Sequence, residues 1–168
     1  MLLRKSTKRR LANLNATLDV LRAYVWDVSV EYIDDLAFCT QVGWLQYDVV
    51  LSVHGSHLVS QAFMRHGSHL IEIMPYMYEQ DYNTAGCAPR HRHLLVGLPV
   101  PVSHPNTSCR LYWGNARRAQ SISKCRIEAR SARIVAPVDE LSLLMRRIAR
   151  GTTARGRYRC NPSRCTYE

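Results

Sequence analysis

Two short apolar runs joined by a helical stretch dominate the hydrophobic pattern, within residues 48–75. Residues 49–53 are almost all apolar, and a run of this length is typical of a strand buried on both faces. Residues 70–73 form a second such run, which ends near Pro75. Apolar positions at helical spacing lie between the runs. The pattern therefore predicts a strand, a turn at residues 54–57, a short helix and a second strand.

The same alternation extends to both sides of this unit. Apolar residues recur at three- and four-residue steps over residues 11–21, which predicts an amphipathic helix. Residues 26–32 alternate between apolar and polar positions, as in a strand. Alternating helices and strands indicate a three-layer, Rossmann-like α/β fold with a parallel sheet. The remaining predicted elements are a helix at 36–45 behind Asp34 and Asp35, strands at 93–98 and 134–135, and a closing helix at 138–150.

Length and composition indicate one domain. A chain of 168 residues with 46% hydrophobic residues can bury a real core. No apolar run approaches the ~20 residues that span a bilayer. The first ten residues lack the apolar centre of a secretory signal, so we expect no targeting signal in this chain.

Positive charge is concentrated in the second part of the chain. Net charge is +10, yet residues 1–109 are balanced and the whole surplus lies in residues 110–168. Residues 151–168 contain few hydrophobes, which predicts a basic, disordered tail behind a domain at residues 1–150. Such a segment attracts nucleic acid, anionic lipid or acidic protein, or is simply solvated.

Six cysteines, an even number, suit disulfides in an oxidising compartment, although spacing alone assigns no pairs. Cys39 lies among apolar neighbours on a helical pattern and is expected to be buried. Two acceptor triplets for N-glycosylation, at residues 15–17 and 106–108, also favour a secretory route.

The turn after the first buried strand has the residue types of an anion site. Gly55 and Ser56 can direct backbone N–H groups at an anion next to a helix amino end, and His54 can donate to a phosphate oxygen. Glu72 lies inside the next buried strand, where an unpaired carboxylate is costly. It therefore requires either a basic partner or a ligand hydroxyl pair such as a ribose diol.

Two other chemistries are weaker interpretations of the same residues. His54 and His57 are three apart, as are His66 and His69, but no carboxylate follows at metal-ligand spacing. We therefore expect no metal and ordinary core or surface histidines. Ser56 is not in the G-x-S-x-G context of a hydrolase nucleophile.

Several stretches together resemble glycosyltransferase family 61, most closely the branch of the protein O-linked mannose β-1,4-N-acetylglucosaminyltransferase. The resemblance is clear over residues 8–81 and returns faintly at 134–150. The stretches that carry it are Arg10-Leu11 before a helix, Asp35-Leu36, Asp48-Val-Val-Leu-Ser-Val-His54-Gly55-Ser56-His57-Leu58, Phe63-Met64, and Ile71-Glu72-Ile73-Met74-Pro75-Tyr76.

The resemblance implies a two-lobed GT-B fold in which the carboxyl-terminal lobe holds most of a nucleotide-sugar donor. The chain then corresponds to that lobe, with most of the first lobe absent. Carried over by position, His54 and Gly55 face the donor diphosphate and Glu72 faces the nucleoside. Lys8 and Arg10 neutralise the leaving diphosphate. Ser56 and His57 depart from the usual family residues, and His57 either narrows the donor pocket or adds a further phosphate contact.

The implied reaction is inverting transfer of N-acetylglucosamine or a pentose, from a UDP-linked donor, to a glycan or glycoprotein acceptor. It implies no cofactor, no metal and no nucleic-acid partner, and a place in the Golgi or endoplasmic reticulum lumen behind a missing amino-terminal membrane anchor. No catalytic base is identified, and we expect a fragment with little activity alone. The alternatives are a non-catalytic basic α/β module that binds polyanions, and a hydrolase.

Overall fold

A parallel five-stranded sheet is the centre of the fold. The computed structural model describes residues 1–3, 10–35, 37–43, 46–65, 67–73, 92–96, 109, 121–131, 133–151, 159–161 and 164–166. The sheet order is β2-β1-β3-β4-β5, and every neighbouring pair is parallel. Its strands are β1 (Leu2–Leu3), β2 (Glu31–Tyr32), β3 (Val49–Val53), β4 (His69–Ile73) and β5 (Arg92–Val96).

Among the described residues, helices lie between successive strands from β1 to β4 and after β5. The α-helices are α1 (Leu14–Arg22), α2 (Phe38–Gly43), α3 (Ser123–Ser131) and α4 (Val138–Ala149), and 3₁₀ helices span Ile33–Asp35 and Ser56–Phe63. The mixed α/β architecture with a parallel sheet is thus the predicted one.

Strand β3 is an interior parallel strand, as predicted. It pairs with β4 in continuous register from Val49 with His69 to Val53 with Ile73. On its other side, Ser52 is in register with Leu2 of β1. Because both neighbours run parallel to β3, the carboxyl ends of three adjacent strands meet at one edge of the sheet, where ligands bind in open α/β sheets.

One face of the sheet packs against α1 and α4. Alternate residues of β3 and β4 point to this side, and helix residues spaced three or four apart meet them. All are buried, and the cluster consists of Leu3, Leu11, Leu21, Leu51, Val53, Ile71, Ile73, Ile134, Ala136, Leu141 and Met145. Acidic Asp139 and Glu140 begin α4 and basic Arg146 and Arg147 end it, an order that the helix dipole favours.

The opposite face has a smaller core beneath the 3₁₀ helix Ser56–Phe63. Val50 of β3 and Leu70 of β4 contact Leu58, Met64 and Ile33 there. Ser52 and Glu72 are cross-strand neighbours in register and follow Val50 and Leu70 by two residues, so they share this face. The second core is therefore apolar near the middle of the strands and polar at the carboxyl edge of the sheet.

Some predicted elements differ in extent or kind. The strand expected over residues 26–32 is reduced to Glu31–Tyr32, because β1 offers only two residues for pairing, and Trp26 is fully exposed. The helix after β3 is 3₁₀ rather than α. The strand expected at residues 134–135 is a single bridge between Leu11 and Ile134.

Two short strands lie within the segment for which disorder was predicted. Within residues 151–168, β6 (Arg159–Asn161) and β7 (Arg164–Thr166) pair as antiparallel strands. The two strands are close in sequence, and backbone pairing between them does not require the apolar residues whose scarcity predicted a disordered tail. The other residues of the tail lie outside the described part of the chain. The division into residues 1–150 and 151–168 remains a prediction.

Among the described residues, the cysteines give one disulfide and one correction. Cys109 and Cys125, sixteen residues apart, form a disulfide that ties α3 to the segment before it. Cys39 is a free thiol on α2 and is exposed, so its predicted burial is wrong. Helix α2 spans only six residues, and its orientation turns Cys39 away from the core.

Candidate functional site

A cavity of about 540 Å³ lies at the carboxyl edge of the sheet. Strands β1, β2 and β3 contribute Leu3, Tyr32, Ser52 and Val53 from their carboxyl ends. The remaining lining residues come from the start of α1 and from one distant segment, and they are Arg10, Leu11, Ala12, Asn13, Leu14, Asn15, Ala16 and Arg133. The cavity is large enough for part of a small-molecule ligand.

The amino end of α1 forms one wall of this cavity. Asn13 occupies the capping position, but its side chain makes no capping bond to the helix. Instead its Nδ2 donates to the Ala136 carbonyl at 2.9 Å, and its Oδ1 accepts from the Ala136 amide at 2.9 Å. The first-turn N–H groups of α1, which carry partial positive charge, are therefore not capped by Asn13.

Two arginines supply formal charge to the same wall. Arg10 and Arg133 both line the cavity, and both are exposed. Among the described lining residues there is no aspartate or glutamate. The local charge of the described wall is thus positive, as an anion requires.

A buried polar cluster lies beside the cavity, on the face of the sheet covered by the 3₁₀ helix. His54 Nδ1 lies 2.5 Å from Glu72 Oε1, and the two residues are 3% and 0% exposed. Ser52 Oγ lies 2.8 Å from His57 Nε2. Since Ser52 also lines the cavity, this residue joins the cluster to the cavity wall.

The backbone of the predicted turn is largely engaged within the fold. The His54 amide donates to the Ile73 carbonyl at 2.9 Å, which extends the β3–β4 ladder by one residue. The Leu58 amide donates to the Gly55 carbonyl at 3.0 Å. Gly55 is buried and Ser56 is exposed at the start of the 3₁₀ helix.

The predicted site residues therefore fall into two neighbouring groups. Arg10 lines the cavity, whereas His54, His57 and Glu72 form the buried cluster next to it. Lys8 lies outside the described residues. The sequence left open whether Glu72 pairs with a basic residue or with the hydroxyl pair of a ligand. In the structure, the Glu72 carboxylate has a basic partner, which is His54.

Sequence patterns missed Arg133, Asn13 and the linking role of Ser52. Arg133 is far from Arg10 in sequence, and only the backbone pairing of their neighbours brings them together. The sequence signal that could have pointed to Arg133 is its position directly before the apolar residues 134–136 and the closing helix.

Within the described residues, no three histidines, cysteines or carboxylates come together in a group that could hold a metal ion. In the same part of the chain, no helix has the length and apolar character needed to cross a bilayer.

Residues 1–71 match the family model Glycosyltransferase 61. The matched residues are less than half of the 168-residue chain, and we refer to them as the family segment. The match includes β1, the amino end of α1, β3 and the turn at His54, and it stops one residue before Glu72. The family consists of glycosyltransferases, which use nucleotide-sugar donors and glycan acceptors and typically work in the secretory pathway. No curated protein matches the chain.

Proposed function

We propose that the chain is the donor-binding part of a family 61 glycosyltransferase and that the cavity receives the diphosphate of a nucleotide-sugar. The observation that carries the proposal is the position of Arg10: it lies in the family segment and lines a cavity at the carboxyl edge of parallel strands. That edge is the usual ligand site of open α/β sheets. The helix amino end adds a partial positive charge to the same wall.

In the proposed complex, Arg10 and the start of α1 face the diphosphate, with Lys8 as a further cation. His54 and Gly55 end β3 beside the cavity wall, and Glu72 acts through His54 rather than directly on the nucleoside. Two observations support this revision of the role of Glu72: its side chain is 0% exposed, and its Oε1 lies 2.5 Å from His54 Nδ1. A carboxylate held in this way fixes the orientation of the imidazole.

The proposed reaction is inverting. An acceptor hydroxyl oxygen attacks the anomeric carbon while the bond from that carbon to the diphosphate oxygen breaks, and the bonding electron pair leaves with the diphosphate. A base takes the hydroxyl proton. Cations placed at the leaving group stabilise the charge that develops there, and loss of one well-placed donor typically costs about 3 kcal/mol.

The finer assignments rest on the resemblance: a UDP-linked donor carrying N-acetylglucosamine or a pentose, a glycan or glycoprotein acceptor, and the carboxyl-terminal lobe of a GT-B enzyme. The Cys109–Cys125 disulfide supports the lumen of the endoplasmic reticulum or Golgi, because disulfides persist in oxidising compartments.

Isothermal titration calorimetry with UDP and UDP-N-acetylglucosamine tests the proposal on the full chain. We expect weak binding of both nucleotides. Arg10→Ala removes a cation from the cavity and should weaken binding about tenfold or more. Arg22→Ala is the matched control, because Arg22 is an exposed arginine in the last turn of α1. No binding by the full chain, or equal losses in both variants, would overturn the proposal.

A further inference from the structure

We propose that Arg133 is a second anion-binding residue of the cavity, paired with Arg10 across a backbone bridge and contacting the same phosphate group. This inference deepens the proposed function and rests on it for the nature of the ligand. It assigns a role to a residue outside the family segment, which ends at residue 71.

The first step is the register of the bridge. Leu11 and Ile134 are paired in parallel, with the Ile134 amide donating to the Arg10 carbonyl at 3.0 Å and the Ala12 amide donating to the Ile134 carbonyl at 2.7 Å. Arg10 and Arg133 each precede a paired residue by one position. Neighbouring strands lie about 4.8 Å apart, so the two arginine backbones are adjacent.

The second step is direction. Leu11 and Ile134 are both buried in the core on the α1 side of the sheet, at 6% and 2% exposure. Side chains alternate along extended backbone, so the residues just before them point away from that core. Both arginines are in fact exposed, and both line the cavity.

The third step is rigidity. The segment that carries Arg133 is held at the bridge and just after it: Ile134 and Ala136 are buried, and Asn13 makes two hydrogen bonds to the Ala136 backbone. An arginine on a fixed backbone loses less freedom when it binds an anion than one on a mobile loop. Asn13, the residue just before α1, thus helps to fix the segment that carries Arg133.

The fourth step is charge. Among the described residues, neither Arg10 nor Arg133 has a carboxylate ion pair, and the described cavity lining contains no acid. Like charges side by side on paired strands are destabilising, and a bound anion removes this repulsion. Guanidinium groups bind phosphate oxygens in a bidentate manner, so two adjacent arginines fit the several oxygens of a diphosphate.

Calorimetric titration of the full chain with UDP and with inorganic pyrophosphate tests this assignment. Arg133→Ala should weaken the binding of both ligands by about ten- to a hundredfold, the range for losing a hydrogen bond to a charged group. Arg133→Lys should retain part of the affinity, because it keeps the charge without the bidentate geometry. Arg22→Ala is the control for the loss of an exposed arginine, and thermal melts establish that each variant is folded.

Wild-type affinity in folded Arg133→Ala, with Arg10→Ala weakened, overturns the role of Arg133 and leaves the donor proposal standing. Arg133-dependent binding of pyrophosphate without any binding of UDP supports the role of Arg133 and overturns the donor proposal. A wild-type chain that binds neither ligand overturns both.

Discussion

His54 and Glu72 form a hydrogen-bonded pair inside the fold, with Nδ1 and Oε1 2.5 Å apart and almost no solvent contact. His54 follows the last residue of β3, and Glu72 is the fourth residue of β4. The pair therefore joins two central strands at the edge where the cavity lies. A carboxylate removed from water is stable only with such a partner.

Replacing Glu72 should consequently cost much of the stability of the domain. We expect Glu72→Ala to lower the free energy of unfolding by about 3–5 kcal/mol, the range for breaking a buried pair. Glu72→Gln should cost less, because the amide oxygen still accepts a hydrogen bond in a side chain of the same shape. Urea unfolding measures both.

A double-mutant cycle that combines Glu72→Ala with His54→Ala measures the interaction energy between the two side chains. It separates this energy from the cost of removing each buried side chain alone. The coupling energy should be about 0.5–3 kcal/mol if the two side chains stabilise each other. Additive effects of the two substitutions would show that the contact contributes nothing to stability.

Local patterns predicted the central part of this fold well. Strands β3 and β4 are short, mainly apolar runs, and α4 carries both its apolar stripe and its terminal charges within twelve residues. Arg10 was identified as an anion-binding candidate through the resemblance of its stretch, Arg10-Leu11 before a helix, to glycosyltransferase family 61. In each case, the signal that predicted the feature lies in residues that are close together in the sequence.

The parts that sequence patterns missed depend on distant contacts. Strand β1 has two residues, too few to show a period, and is a strand only because β2 and β3 lie on either side of it. Asn13 has the sequence position of a helix cap, yet it bonds to Ala136, 123 residues away. Arg133 lies on the cavity wall for the same reason, and no local pattern encodes such pairing.

The Asn13–Ala136 contact gives a second stability prediction. Asn13→Ala leaves a backbone N–H and a carbonyl without their partner, and we expect a loss of about 1–3 kcal/mol in the free energy of unfolding. Asn15→Ala, on the exposed side of the same helix turn, is the matched control and should change stability little. A loss no larger than that of the control would mean that the two bonds do not stabilise the fold.

Tyr24 links the carboxyl end of α1 to α4. Titration of its phenol group reports on that contact. Its hydroxyl lies 3.0 Å from Ser142 Oγ. The hydrogen bond with Ser142, assisted by Arg146, lowers the pKa of the Tyr24 phenol below its ordinary value. The difference in phenolate absorbance between wild type and Tyr24→Phe should therefore rise at a lower pH in the folded chain than in the chain unfolded in urea.

The same shift has a defined effect on stability. Because the folded state favours the phenolate, the contribution of Tyr24 to stability is fully present above the pKa of the unfolded chain and is lost as the pH falls through the lowered pKa of the folded chain. Equal titration in folded and unfolded chains would show that neither Ser142 nor Arg146 acts on the phenol.

The last prediction separates donor binding from the binding of polyanions by the basic end. The described residues that line the cavity lie between Leu3 and Arg133, so ending the chain after Arg150 should leave the affinity for UDP unchanged. Binding of a polyanion such as heparin should weaken on truncation, because residues 151–168 contain four arginines and one glutamate.

Polyanion binding should also fall steeply with salt, since it depends on the release of many counterions. Titrations of both chains at two salt concentrations measure these effects. Loss of UDP binding together with polyanion binding on truncation would favour the non-catalytic basic module over the transferase.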